Sequence, residues 1–165
     1  MKEQRKEISK FIEMVKDAKV CMLITSIEGQ ESLSGRPMGI NKKIDEDGTM
    51  WFFSKKSSYK VEELEKSKKV SITIANSKSN NYLMINGSGS VVDDKVKMKE
   101  LWSPIMKVWF PLGLDDTDMT LIKVTPSEVN YWDGSSNDMV VLFNMAKALI
   151  TGEEYSEGEQ GKIKL

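Results

Sequence analysis

Between residues 3 and 18, Ile8, Phe11, Ile12 and Val15 recur at i, i+3, i+4 and i+7 with Lys and Glu between them, which predicts an amphipathic helix packing one face on a core. Residues 19 to 26 then run apolar and β-branched, the pattern of a strand buried on both faces. Gly35 to Ile40, the turn signal Asp45-Glu46-Asp47-Gly48 and Thr49 to Phe53 read as a hairpin, with Gly48 suited to positive φ. Residues 58 to 67 return to helical spacing: Val61 and Leu64 point inward, Glu62, Glu63 and Glu65 outward, and Ser57 or Ser58 serves as N-cap.

Val70 to Ile74 alternates strictly, Ser77 to Asn81 is a turn cluster, and Tyr82 to Val92 resumes a long strand, giving a second hairpin. Within it Gly87 and Gly89 mark a bulge or a close backbone approach, because Asn86-Gly87-Ser88-Gly89-Ser90 lacks the remainder of any phosphate-loop motif. Asp93-Asp94 caps a helix through Leu101, and Trp102 to Phe110 forms a short one before Pro111. Thr120 to Val124 is a strand, Glu128 to Trp132 another after Pro126, and Met139 to Ile150 a helix ended by Gly152.

Tight turns between neighbouring strands favour an antiparallel sheet, and about six short strands at this spacing close into a small barrel. The expected fold is therefore mainly β with flanking helices. Residues 1–152 form one domain, and 153–165 a polar tail that frays. A doubly wound parallel fold would need a helix after nearly every strand.

Composition narrows the chemistry. The 165 residues suffice for a core without disulfides or metal, and the single Cys21, inside an apolar run, suits a reducing, cytoplasmic setting. There is no histidine, which removes Ser-His-Asp and Cys-His catalysis, imidazole bases and HExxH zinc sites. Any reaction must then use carboxylates, lysine, hydroxyls or a bound organic cofactor. The acidic turns 45–47 and 115–118 fit no calcium loop, so no metal is expected. No run reaches the length of a membrane span.

Three segments gather cations and hydroxyls near strand ends: Gly35-Arg36-Pro37-Met38, Phe52-Phe53-Ser54 and Ser57-Ser58-Tyr59-Lys60. Arg36 offers a bidentate fork, Lys60 a point charge, Ser54 and Ser58 hydroxyl donors, and the helix starting near Ser58 its backbone N–H groups, a set suited to a phosphate monoester. By spacing alone such an Arg and Lys are solvated surface residues. Trp51, Phe52, Phe53 and Met38 raise the other reading, as walls for a flat ring beside the phosphate arm.

These segments, with Tyr82 to Gly87, Asp93-Asp94, Leu101 to Pro104, Trp109 to Gly113 and Tyr131-Trp132 in this order, resemble the FMN-binding split barrels related to pyridoxamine 5′-phosphate oxidase, within them the general stress protein 26 group. The resemblance covers most of the chain and implies a six-stranded antiparallel split β-barrel. It implies FMN as cofactor, with FAD or a related flavin as an alternative, its phosphate held by Arg36 and Lys60 with Ser58 assisting. Phe53 and Ser54 would lie beside the flavin, and backbone at Met38 and Gly39 would face the ring edge. Tyr82 stands where the oxidases carry glutamine. The resemblance further implies a homodimer with the flavin between two barrels, so that Trp109 and Phe110 reach the partner's cofactor, although core packing or a dimer interface is the simpler expectation for most of the large aromatics.

A chain without histidine lacks part of the substrate set of the vitamin B6 oxidases, so a relative without that activity is expected. Because a flavin carries its own redox chemistry, an FMN-dependent oxidoreductase between a reduced nicotinamide or other small donor and an unidentified acceptor is the first reading. A flavin-binding stress protein that stores or senses without turnover is the second. Single-stranded nucleic acid, which small barrels also bind, is disfavoured by a net charge of −1 and by Glu62, Glu63 and Glu65 among the lysines at 55–69.

Overall fold

The reason β1 (Val20–Ser26) and β2 (Leu33–Gly39) pair is that the Gly29 turn returns the chain directly, so Val20 to Ser26 lie opposite Gly39 to Leu33. In the computed structural model, which describes residues 2–27, 29–134, 138–152, 154 and 158–165, this hairpin begins one antiparallel sheet. Its order is β2-β1-β4-β5-β6-β3, with β3 (Met50–Lys55), β4 (Lys69–Asn76), β5 (Asn81–Val92) and β6 (Met119–Asp133). A further strand, β7 (Glu159–Lys164), pairs with β6. The six main strands curl into a half-barrel whose open seam lies between the edge strands β2 and β3.

The helices close this half-barrel. The α1 helix (Lys2–Lys16) lays Phe11, Met14 and Val15 on the interior, with Leu23, Ile72, Ile85, Ile122 and Val129 from the sheet. The α2 helix (Tyr59–Lys66) follows β3 and buries Val61 and Leu64 against β1 and β5. The α3 helix (Lys95–Leu101) is capped by Asp94, whose carboxylate accepts from the Val96 and Lys97 N–H groups at 2.9 and 3.0 Å. With the 3₁₀ turns at Pro104–Val108 and Gly113–Asp115 it covers the outer side of β3 and β6, forming a second apolar cluster of Trp51, Met98, Leu101, Phe110, Met119 and Leu121. The α4 helix (Asp138–Thr151) ends at Gly152, which takes φ +69° and donates to the Ala148 carbonyl.

Five expectations need correction. The first expected hairpin does not form: β2 pairs with β1, and β3 pairs with β6 from Met50↔Val124 to Lys55↔Met119. The intervening segment is drawn off toward α3, where Asn41 Nδ2 and Lys43 Nζ donate to the Leu101 and Glu100 carbonyls. Gly48 still has its positive φ, +85°. Second, β1 is buried on one face only, since Val20 and Met22 point to solvent. Third, the two strands expected around Pro126 are one, because Pro126 falls opposite Gly87 at a bulge between Asn86 and Gly87, where the ladder is interrupted and a missing N–H costs little.

Fourth, the polar tail carries β7: Ile163 is buried, Gly161 lies under the Tyr131 ring, and Glu159 accepts from Tyr131 Oη at 2.8 Å and pairs with Lys10 at 2.9 Å. Alternation with a single buried side chain reads as polar in sequence and still docks an edge. Fifth, Glu63 turns inward from α2, as described next.

Candidate functional site

The seam between β2 and β3 is bridged by side chains from α2. From β2, Arg36 reaches under the sheet: Nη2 lies 2.6 Å from Glu63 Oε2 and 2.7 Å from Ser34 Oγ, and Nη1 donates to Thr25 Oγ1 at 2.6 Å. Thr25, on β1 and buried, also donates to Glu63 Oε2 at 2.5 Å. Both charged side chains are largely covered, at 19% exposure for Arg36 and 15% for Glu63. Burial alone would raise the Glu63 pKa, but the hydrogen bonds from Thr25 and Arg36 outweigh it and hold the carboxyl below its ordinary 4.5.

From the β3 side, Ser54 is buried with its hydroxyl 3.1 Å from that of Ser58. Ser58 occupies the N-cap position of α2 with extended φ −84° and ψ 143°, yet its hydroxyl donates to the Lys55 carbonyl at 2.7 Å instead of capping. With that proton committed, Ser54 is the donor to Ser58 Oγ, and the two hydroxyls form a short chain at the start of the helix. Two residues on, Lys60 is half-buried and makes no hydrogen bond or ion pair among the described residues. Burial lowers its pKa below 10.5, the nearby Arg36 charge lowers it further, and Glu63 opposes them. An ammonium partly stripped of water beside a second cation is favourable ground for an anion.

Thus the structure brings together four of the expected site residues, Arg36, Ser54, Ser58 and Lys60. Glu63, Thr25 and Ser34 complete the cluster; the expected outward orientation of Glu63 is wrong because, at i+3 from Lys60, it shares the inner side of α2. A polar residue on an inward stripe was the available signal.

The expected ring walls fare differently. Phe52 and the Met38 side chain are buried in the interior core, and Trp51 is buried in the second cluster with its indole N–H on Asp45 Oδ2 at 2.7 Å, so none of these three side chains can line an open ring site. Phe53 is half-buried, its ring 5.9 Å from that of Trp102 in an edge-to-face arrangement and 6.2 Å from that of Phe110. Phe110 is itself buried beneath and so cannot reach a partner, whereas its neighbour Trp109 is 58% exposed.

Gly39 and Tyr82 stand on the solvent-facing side of the sheet. Tyr82 is cross-strand neighbour to Trp132, and both are about half exposed. The register places Val20, Met22, Ile24, Pro37, Met84 and Trp132 on this same side, away from the interior. A groove of about 360 Å³ opens on it, lined in part by Ile24, Leu33, Ser71 and Asn86, at the level of the bulge. The Arg36–Lys60 polar cluster, the Phe53 aromatics and the Tyr82 face are three separate patches. The acidic turns are internally committed: Asp45 also pairs with Lys97 at 3.0 Å, and Asp118 accepts from Ser57 N and Oγ at 3.0 and 2.8 Å. Burial pushes the Cys21 thiol up to about 12, which leaves it an inert apolar residue.

Residues 6–156 match the family model described as pyridoxamine 5′-phosphate oxidase like. The chain belongs to that family. Among solved structures, a candidate general stress protein 26 from Jannaschia sp. CCS1 is similar over the whole of both chains, at 25% identity and TM-score 0.77. A Clostridium acetobutylicum protein related to general stress protein 26 is similar at 26% identity and TM-score 0.67, over 78% of this chain and 89% of that one. The general stress FMN/FAD binding protein of Xanthomonas citri shares the fold at 24% identity and TM-score 0.65, over 81% and 90% of the two chains. Protein bli-3 of Neurospora crassa is 23% identical over 110 residues, 62% of this chain, and the match spans about half of that relative's length. Membership agrees with the half-barrel. Among the described residues no helix is long and apolar enough to cross a membrane.

Proposed function

We propose that this member of the pyridoxamine 5′-phosphate oxidase-like family binds a flavin mononucleotide, with the phosphate against Lys60, Ser58 and Ser54 and within reach of Arg36. The observation that carries the reading is Lys60: a half-buried ammonium in the first turn of α2, near a second cation, Arg36, with no hydrogen bond or ion pair among the described residues. An anionic group settling there regains the solvation that burial removed and meets charge-assisted donors. The same residues would hold the internal pyrophosphate of a dinucleotide flavin less well, because each of its phosphates is a diester with one negative charge where the monoester carries close to two.

The ring fits less completely in one protomer, since Met38 and Trp51 are committed to packing. A second copy supplies what is missing. The solvent-facing side of the sheet, with Val20, Met22, Leu33, Tyr82 and Trp132 exposed, is more apolar than a free surface needs to be. A homodimer through this face would enclose its groove, with Phe53, Gly39, Tyr82 and Trp109 as ring contacts from the two copies. When bound, a flavin supplies hydride and single-electron transfer. The chain's own part is to hold the phosphate, to exclude water with the aromatic patches, and to admit a small donor, a reduced nicotinamide or similar, to the open ring face. The reading is of an oxidoreductase of the cytoplasm with an acceptor set by that opening.

The test is binding followed by reduction. Purified protein given FMN should quench flavin fluorescence, and Lys60→Ala should weaken the affinity by about tenfold or more. Reduction of the bound flavin by NADH or NADPH without oxygen supports turnover; tight binding with no reduction by either would leave a storage or sensing protein instead.

A further inference from the structure

The anion cluster contains its own anion. Arg36 and Lys60 contribute two positive charges and Glu63 one negative, so the seam carries 2 − 1 = +1. Glu63 is not a surface carboxylate that happens to pass by: it accepts from Thr25 Oγ1 at 2.5 Å and Arg36 Nη2 at 2.6 Å, it is 15% exposed, and it rides one helical turn from Lys60 on the same side of α2. Three donor contacts of the Arg36 fork are already directed to protein oxygens, those of Thr25, Ser34 and Glu63. A planar guanidinium has five N–H groups, so two remain for a ligand.

We infer that Glu63 sets how strongly this site distinguishes a phosphorylated flavin from an unphosphorylated one, by neutralising Arg36 and leaving Lys60 as the cation that a phosphate meets. A phosphate monoester near neutral pH carries close to two negative charges, and at a site of charge +1 it gains less than it would at +2. Glu63 is therefore a positioning and specificity residue. It keeps the Arg36 fork oriented and limits the gain from the phosphate, so that exchange of the ligand stays possible. The hydrogen bonds that hold the carboxyl below its ordinary pKa keep it charged at neutral pH, as this role requires. This inference rests on the proposed flavin reading for its ligand, but not for its charge arithmetic.

The experiment titrates wild type, Glu63→Gln and Glu63→Asp with FMN and with riboflavin by flavin fluorescence, and in parallel follows melting temperature in increasing inorganic phosphate. Gln preserves size and an acceptor for Arg36 while removing the charge; Asp preserves the charge. The expected result is about a tenfold tighter FMN Kd in Glu63→Gln with riboflavin within about twofold of wild type, the FMN-to-riboflavin ratio of Glu63→Asp close to that of wild type, and a larger phosphate-induced rise in melting temperature for Glu63→Gln. Unchanged or weaker FMN binding in Glu63→Gln, or an equal change for both flavins, overturns the inference. If neither flavin binds wild type but the phosphate response still separates Glu63→Gln from wild type, the flavin reading fails and the role of Glu63 stands. No phosphate response in any variant, with no flavin binding, overturns both.

Discussion

Gly87 faces Pro126 across the β5–β6 ladder so closely that a Cβ on Gly87 would lie 2.9 Å from the Pro126 Cα. The contact is with backbone, which cannot swing aside as a side chain can. Gly87→Ala should therefore destabilise the protein by about 2 kcal/mol or more, while Gly39→Ala, where a Cβ meets nothing within 4 Å, should stay within about 0.5 kcal/mol. Chemical denaturation of both variants checks this contrast.

The Glu63 carboxyl has a lower pKa folded than unfolded, so the folded protein binds fewer protons around the ordinary value of 4.5. Its contribution is thus fully present above that pH and is lost as the pH falls through the folded value. Glu63 is the least exposed of the ion-paired carboxylates among the described residues, so it should dominate the acid limb. Glu63→Gln should flatten the decline of stability below pH 4.5, measured by urea unfolding across the acid range. An acid limb as steep as that of wild type would remove Glu63 from this role.

Lys60 works against the fold that holds it. Burial and Arg36 both lower its pKa, which means that the charged form is paid for in stability when no anion is present. Lys60→Met should raise the melting temperature of the ligand-free protein by a few degrees, about 0.5–1 kcal/mol, and should abolish preference for FMN over riboflavin. A lower melting temperature would mean that the ammonium is better solvated than its position suggests.

Two adjacent aromatics should separate structure from binding. Phe110 is buried against Phe53, and Phe110→Ala should cost about 3 kcal/mol. Trp109 is 58% exposed; Trp109→Ala should leave stability within about 0.5 kcal/mol and weaken flavin binding. Equal stability losses in the two would place Trp109 in the same packing role as Phe110.

Met22 sits in the middle of the exposed sheet face, between Pro37 and Thr73. Met22→Asp puts a charge where two copies would meet, and should shift a dimer toward monomer by at least about tenfold in association constant, read by sedimentation, with the circular dichroism spectrum unchanged. A wild-type chain that sediments as a monomer at high concentration would dispose of the dimer altogether.

Most of the elements are legible in the periodicity of the chain because each signal is local: the i, i+3, i+4 spacing in α1, the alternation at Val70 to Ile74, the Asp94 cap, the glycine pair in β5. What local patterns do not carry is the choice of partner. The Asp47-Gly48 turn has the backbone of a hairpin turn, yet β3 pairs with β6, nearly seventy residues away along the chain, because Asn41 and Lys43 tether the approach to the end of α3. Pro126 reads as a break until its partner is known to be a glycine at a bulge. In the site, cations and hydroxyls are visible as residue types near strand ends. Glu63 carries only the weak signal of a polar residue on an inward stripe, since an acidic residue on a charged helix is ordinarily solvated and only the fold places Arg36 beside it.

The edge strand β2 has a ladder neighbour on one side only, β1, and no strand covers its other side among the described residues. Such an edge invites pairing with a foreign strand. Here it carries Pro37, which has no N–H to offer, and Arg36 ties its midpoint to α2 through Glu63. The Arg36–Glu63 ion pair therefore also fastens the margin of the sheet, and a variant that loosens it in search of tighter phosphate binding is expected to be more prone to intermolecular strand addition and aggregation.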